Sequence, residues 1–301
     1  MTALYRQYDR AGLDVQYNAR ATVPDITPII RAYADESRAA RQSLPCALDV
    51  PYGPHADELL DIFPAASGTA PATGAPVFVF IHGGYWRLLS KDDSSSMAPA
   101  FTQAGAVVVA VNYSLAPAVT LDRIVDQNRR ALAWVHAHIA RHGGDPRRIH
   151  VCGSSAGGHL AGMLLTGGWH ADYGVPEDVV RGAAPLSGLF DLQPLVHTHI
   201  NEWMRLSEED AIRNSPALQP PGMGCPLIVS YGETETAEFK RQSDDYLAAW
   251  QARGHPGQYV AMPGTNHFDI VLTLNDPASP LTCAILAQMG LRPPSTTHRQ
   301  P

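Results

Sequence analysis

Gly153-Ser154-Ser155-Ala156-Gly157 sets a serine between glycines two positions away on either side. A short apolar run, Ile149 to Cys152, precedes it, and a helix-like stretch, Ala156 to Thr166, follows. A strand that turns this sharply into a helix leaves no room for Cβ atoms beside the serine, and glycine has none. Such a turn holds the serine at a strained backbone angle with its hydroxyl lifted above the sheet. A serine alcohol is a weak nucleophile, so the turn calls for a histidine base and a carboxylate elsewhere in the chain. The chemistry implied is acyl transfer through Ser155.

Both partners are present downstream, and a loop suited to an oxyanion lies upstream. His82-Gly83-Gly84-Tyr85-Trp86 follows directly on the apolar run Val77–Ile81. Paired glycines there let backbone amides turn inward, so Gly84 or Gly83, with Ala156, are the expected oxyanion donors. Of the 13 histidines, His267 stands in a short loop, Pro263-Gly264-Thr265-Asn266, after the last apolar run. The α/β-hydrolase order of serine, acid and then histidine makes it the base, and His82 is read as shaping its loop. His136, His138 and His142 lie beside a helical apolar stripe and are expected at the exposed surface. His197 and His199 alternate, but no cysteine or carboxylate pattern completes a metal site around them. The acid is expected after the run Pro226–Ser230, where Glu233, Glu235 and Glu238 stand. Glu235, three residues beyond Gly232, is favoured over Glu233. Glu238 is read as a first-turn helix residue suited to the helix dipole.

These groups need a scaffold of strands that end at one edge. Candidate strands are Leu48–Val50, Leu59–Phe63, Val77–Ile81, Ala106–Val111, Ile149–Cys152, Val179–Leu186, Pro226–Ser230 and Gln258–Met262. The later ones are almost continuously apolar, as strands covered on both faces must be. The first two are read as an antiparallel pair. Between the strands run helical patterns, clearest in Leu121, Ile124, Val125, Asn128, Leu132, Val135 and Ile139, with others over Asp25–Leu44, Thr236–Arg253 and Ala278–Met289. Gly143-Gly144 with Pro146 stops the first of these. Alternating strands and helices imply a mostly parallel sheet with helices on both faces. The expected organisation is one α/β domain over residues 1–301. Residues 1–45 cover the active-site mouth, Pro64–Pro76 forms a surface loop, and the tail 293–301 is frayed.

Composition narrows the setting. Over 301 residues, 45% are hydrophobic, 17% are charged and the net charge is −7. That is a globular, acidic chain, which argues against nucleic acid or an anionic membrane as partner. The N-terminal twenty residues lack the apolar core of a secretory signal, and no run reaches membrane-spanning length. The four cysteines, Cys46, Cys152, Cys225 and Cys283, have no metal-ligand spacing. Cys152 and Cys225 are read as buried free thiols in a reducing, cytoplasmic setting. The expected partner is a small-molecule substrate, with a homodimer left open, and neither metal nor organic cofactor is required.

Several of these runs resemble the serine-type kynurenine formamidases (arylformamidases). The matching segments include His82-Gly83-Gly84-Tyr85-Trp86 with Ser90-Lys91-Asp92, Asn112-Tyr113 with Leu115-Ala116-Pro117, Ser155-Ala156-Gly157-Gly158-His159-Leu160, Arg213-Asn214-Ser215-Pro216 and Asn266-His267-Phe268. The resemblance spans roughly Asp49 to Leu274. It implies an α/β-hydrolase fold, the triad Ser155–Glu235–His267, and cleavage of an N-formyl aryl amide such as N-formylkynurenine in tryptophan catabolism. Tyr85 and Trp86 are placed either flanking the aromatic leaving group or packing beneath the loop. The family has aspartate where this chain has Glu235. Gly153-Ser154-Ser155-Ala156-Gly157-Gly158 is also similar to the GDSAGG of hormone-sensitive-lipase-like esterases, with Ser154 in place of aspartate. A carboxylesterase acting on short-chain esters is therefore the second reading. A non-catalytic receptor built on this fold would be expected to lose a triad member.

Overall fold

The computed structural model describes residues 3–69 and 73–294. Residues 70–72 of the Pro64–Pro76 stretch, and 295–301 of the expected frayed tail, lie outside that description. Eight strands form one sheet: β1 Ala47–Pro51, β2 Leu59–Phe63, β3 Ala75–Ile81, β4 Val107–Val111, β5 Gly144–Ser154, β6 Val180–Leu186, β7 Leu227–Val229 and β8 Gly257–Tyr259. Their order across the sheet is β1-β2-β4-β3-β5-β6-β7-β8. β2 runs antiparallel to both neighbours, and every later pairing is parallel. The helices are α1 Arg10–Gln16, α2 Thr27–Ser43, α3 Ala98–Gln103, α4 Leu121–His138, α5 Ala156–Leu164, α6 Asn201–Met204, α7 Glu208–Arg213, α8 Ala237–Ala252 and α9 Pro280–Gln288.

Strand periodicity divides the core in two. Along β3, Val77, Val79 and Ile81 face one cluster with side chains of α4, α5 and α8. Phe78 and Phe80 face the other, with Phe101 of α3 and Ile285 of α9. Alternate residues must point to opposite faces, so a strand covered on both sides has to be apolar throughout. The stripe of α4 behaves likewise: Leu121, Ile124, Val125, Leu132 and Val135 are all buried. Each such aliphatic side chain contributes about 1.5–3 kcal/mol of burial.

Several boundaries differ from the sequence reading. β5 begins at Gly144, five residues before Ile149, because Gly144 pairs with Ala75 and a bulge takes up the register past Pro146. β7 and β8 are three residues each. Single bridges, Leu186 to Ser230 and Gly232 to Met262, continue their course toward the carboxyl edge. His136, His138 and His142 are half-buried, not exposed, since Trp134 packs against the rings of His138 and His142.

Glu238 stands in the first turn of α8, as its reading had it, and it is also buried. Arg241 donates to both of its carboxylate oxygens. The Tyr17 hydroxyl donates to Oε2 at 3.0 Å, and Gln242 Nε2 donates to that hydroxyl at 2.9 Å. The Thr236 hydroxyl donates to the Gln16 carbonyl at 2.6 Å. Leu13 and Tyr17 are fully buried beside this network. The N-terminal segment is thereby fixed to the start of α8.

The turn from β5 into α5 has little clearance. A Cβ on Gly157 would lie 2.0 Å from the Ile81 carbonyl oxygen and 2.7 Å from that of His82. Ile81 is paired on both sides in the sheet, and the His82 carbonyl is held by the Tyr113 hydroxyl, so neither retreats freely. Gly157→Ala is therefore expected to lower unfolding stability by about 3 kcal/mol or more. Urea denaturation measures this, and a midpoint equal to that of the parent would show that the turn has slack.

Candidate active site

Ser155 sits at φ 55°, ψ −115°, between the end of β5 and the first residue of α5. Few non-glycine residues adopt such angles, and here the neighbours enforce them. The Ser155 amide donates to the Leu186 carbonyl of β6 at 2.8 Å, while its own carbonyl accepts from the His159 amide at 2.9 Å. Both ends of the residue are pinned, and the side chain is left pointing away from the sheet edge.

His267 Nε2 lies 3.0 Å from Ser155 Oγ, and its Nδ1 lies 2.9 Å from Glu235 Oε2. A carboxylate only accepts, so Nδ1 carries the proton and Nε2 is free to accept from the serine hydroxyl. The other Glu235 oxygen accepts from the Ser187 hydroxyl at 2.5 Å and the Gly232 amide at 2.6 Å. The carboxylate folds back over its own loop, which accommodates the longer glutamate side chain. Phe239 packs on the imidazole with ring centroids 4.6 Å apart.

The other two glutamates do not reach the histidine. Glu233 is exposed, and its Oε2 accepts from the Gly264 amide at 2.7 Å, tying down the loop that carries His267. Glu238 belongs to the N-terminal anchor described above. Sequence reasoning missed Ser187, which directly follows β6 at φ 50°. Its signal was a serine at the carboxyl end of the strand next to the one that carries Ser155.

The Gly83 backbone lies against Ser155, since a Cβ there would be 2.8 Å from the Ser154 carbonyl oxygen and 3.3 Å from Ser155 Cβ. Among the described residues, the amides of Gly83, Gly84 and Ala156 donate to no protein acceptor. Unpaired backbone donors beside a serine are what a developing oxyanion requires. His82 holds this loop. Its ring stacks on Tyr113 at 4.1 Å, its Nδ1–H donates to the Gly83 carbonyl, and the Tyr113 hydroxyl donates to the His82 carbonyl at 2.8 Å.

Tyr85 and Trp86 separate. Tyr85 lines the cavity over Ser155, and its hydroxyl donates to the Tyr17 carbonyl at 2.5 Å. Trp86 is fully buried and does not line it, so of the two placements open to it, it takes the one beneath the loop and not the one beside a substrate. Its indole N–H donates to His159 Nδ1 at 3.2 Å, and His159 Nε2–H donates to the Asn214 carbonyl at 2.7 Å. The fully apolar indole stem is better satisfied beneath the loop, where its one polar atom finds a partner.

The cavity measures about 780 Å³. Ser155, His267, Gly83 and Gly84 line it together with Tyr17–Arg20 and residues of α2 such as Ile30 and Tyr33. Tyr85, Trp203 and Phe268 supply aromatic faces. His199 pairs with Asp14 at 2.9 Å. Among the described residues, no three His, Cys, Asp or Glu side chains gather to hold a metal.

A family model described as the α/β hydrolase fold matches residues 78–269. The chain is 34% identical to the kynurenine formamidase of Danio rerio over 300 residues, covering 95% of this chain and 98% of that one. It belongs to the kynurenine formamidase family of α/β-hydrolases. The Salmo salar kynurenine formamidase is likewise 34% identical, over 95% and 96% of the two chains. Esterase LipQ of Mycobacterium tuberculosis is 30% identical over 75% of this chain and 58% of its own. Among solved structures, a Silicibacter sp. protein provisionally termed a thioesterase superposes with a TM-score of 0.78 at 28% identity, covering 92% and 98%. The chain is a hydrolase. Among its described residues, no single helix is long and apolar enough to cross a membrane.

Only one glutamate touches the imidazole, so Glu235→Gln is expected to cut kcat far more than Glu233→Gln. An acid-to-amide change in a triad costs about ten-thousandfold, because the amide neither fixes the tautomer nor offsets the imidazolium. Steady-state kinetics of both variants decide it, and a crippled Glu233→Gln beside an active Glu235→Gln would reverse the assignment.

Burial pulls the pKa of both His82 and His159 from the ordinary 6.5 to about 4. Between those values the unfolded chain binds protons that the folded chain does not. Stability is therefore complete above about pH 6.5 and falls as the pH drops toward 4. Each of the two contributes on the order of 1.4 kcal/mol per pH unit across that window. Unfolding free energies measured from pH 7 to 4 should show this slope, and a flat profile would mean that these imidazoles are charged in the fold.

Proposed function

We propose that the chain hydrolyses an N-formyl aryl amide such as N-formylkynurenine by a serine mechanism. The observation that carries this reading is the placement of Ser155. It stands on a floor of free amides, and above it opens a cavity of aromatic and aliphatic walls large enough for an aryl leaving group. The near full-length similarity to curated kynurenine formamidases supports it.

Ser155 Oγ attacks the formyl carbon while His267 Nε2 takes the hydroxyl proton. The amides of Gly83 or Gly84 and of Ala156 receive the oxyanion, and each such donor stabilises the transition state by about 3–4 kcal/mol. Glu235 holds the imidazole tautomer and offsets the imidazolium charge. As the C–N bond breaks, His267 returns the proton to the departing arylamine. Water deprotonated by the same imidazole then attacks the formyl ester, releasing formate and restoring the serine. An arylamine leaves more readily than an alkylamine, and a formyl group needs almost no acyl pocket. The N-terminal segment, residues 1–45, serves as the roof over this reaction, in a setting we read as cytoplasmic.

A carboxylesterase reading is favoured by one observation: LipQ shares 30% identity over three quarters of this chain. Both readings use the same residues and differ in substrate alone. Side-by-side kcat/KM on N-formylkynurenine and p-nitrophenyl acetate separates them, and the formamide should be the better substrate. Ser155→Ala is expected to lose at least about a thousandfold in kcat on either substrate with little change in melting temperature. A variant retaining a tenth of the parent rate would remove Ser155 from the mechanism.

A further inference from the structure

The charged groups on the cavity are not balanced. Arg20, Arg31, Arg87 and Asp93 line it, in a chain whose net charge is −7. The Asp93 carboxylate is engaged, accepting from the Ser90 amide at 3.1 Å and the Ser90 hydroxyl at 3.3 Å. His199 is paired with Asp14. Arg20 lies close enough to Asp25 to help hold that carboxyl below its ordinary range, behind the larger effect of the Thr27 hydrogen bonds. Arg31 shares its helix face with Asp35, four residues on. Among the described residues Arg87, like Arg20 and Arg31, has no carboxylate within 4 Å. It differs in being seated on an aromatic ring.

Arg87 is nevertheless held in place. Its amide donates to the Gly84 carbonyl at 3.0 Å, which fixes its backbone to the loop that carries the oxyanion donors. Its guanidinium carbon lies 4.4 Å from the ring centroid of Trp203, and the Trp203 indole N–H donates to the Tyr85 carbonyl at 3.3 Å. Stacking on an aromatic face leaves the edge of the guanidinium, with its N–H donors, open to a ligand. A planar cation with an open edge beside an apolar cavity suits a bidentate carboxylate.

We infer that Arg87 binds a carboxylate carried by the leaving group of the substrate, so the preferred substrates are aryl amides whose amine portion ends in an acid. This rests on the reading of the site as an acyl-transfer centre for aryl amides. It adds that the acidic end of the substrate, and not the aromatic ring alone, is recognised. The contact is made equally in ground and transition states, so it acts on KM and leaves kcat nearly unchanged. Arg87 is solvent-exposed, which limits the effect to about fivefold.

The test compares N-formylkynurenine with its carboxamide, in which the acid is neutralised at constant shape. The parent enzyme should prefer the acid. Arg87→Gln should raise KM for the acid by about fivefold while leaving the carboxamide KM and both kcat values within about twofold, and Arg87→Lys should restore part of the preference. Raising the ionic strength should weaken binding of the acid to the parent and not to Arg87→Gln. An acid-to-carboxamide KM ratio that is the same in the parent and in Arg87→Gln overturns the inference and leaves Arg87 as a cover for Trp203. The 2-acetoxy analogues of the two compounds keep the acidic leaving group and replace the formamide by an ester. A parent enzyme that cleaves the acetoxy pair and neither formamide overturns the amide reading. The same KM ratio on the acetoxy pair then judges Arg87 independently.

Discussion

The site depends on one close approach. Helix α5 can begin where it does only because Gly157 presents no side chain to the carbonyls that end β3. That contact sets Ser155 in its left-handed conformation and lays Gly83 against it. It also aligns the free amide at the start of α5 with those of the glycine loop. Nothing about the chemistry of serine, histidine or glutamate requires this. A backbone packing tolerance of a fraction of an ångström does, because protein interiors do not yield at that scale.

Around that contact the sheet works as a registration device. The carboxyl ends of β3, β5 and β6 carry the glycine loop, the nucleophile and Ser187 in turn. Leu186 accepts the Ser155 amide while the next residue, Ser187, orients Glu235. Glu235 and Ser155 are thus referenced to the end of the same strand. The histidine arrives from beyond β8 and is tethered twice, by Glu235 directly and by Glu233 through the Gly264 amide. The two neighbouring glutamates act on one imidazole by different routes.

Much of this was readable in the chain. Parallel strands covered on both faces announce themselves as unbroken apolar runs, and the glycines around Ser155 mark a turn no other residue fits. His267 and Glu235 were reachable because chain order and loop length limited the choices. What sequence did not disclose was contact across long separations. Glu238 looks like an ordinary first-turn acid until Tyr17 and Arg241 close on it. Trp86 looks like a ligand-facing aromatic until His159 supplies its hydrogen-bond partner. The half-burial of His138 and His142 depends on where Trp134 turns. Each is a question of which side of an element a neighbour occupies, and periodicity leaves that open for residues at the margin of an apolar stripe.

Tyr17 and Glu238 meet across 221 positions of sequence. On a ribosome adding about 5–20 residues per second, the tyrosine is made roughly 10–45 s before its partner helix. Through that interval the Tyr17 hydroxyl lacks its carboxylate, and the segment is held over the glycine loop by earlier contacts such as that of the Tyr17 carbonyl with Tyr85. The tie between Tyr17 and α8 is therefore a late feature of the nascent chain, and His267 is translated later still. The order of synthesis, and not the local turn at Ser155, sets how late the site is complete.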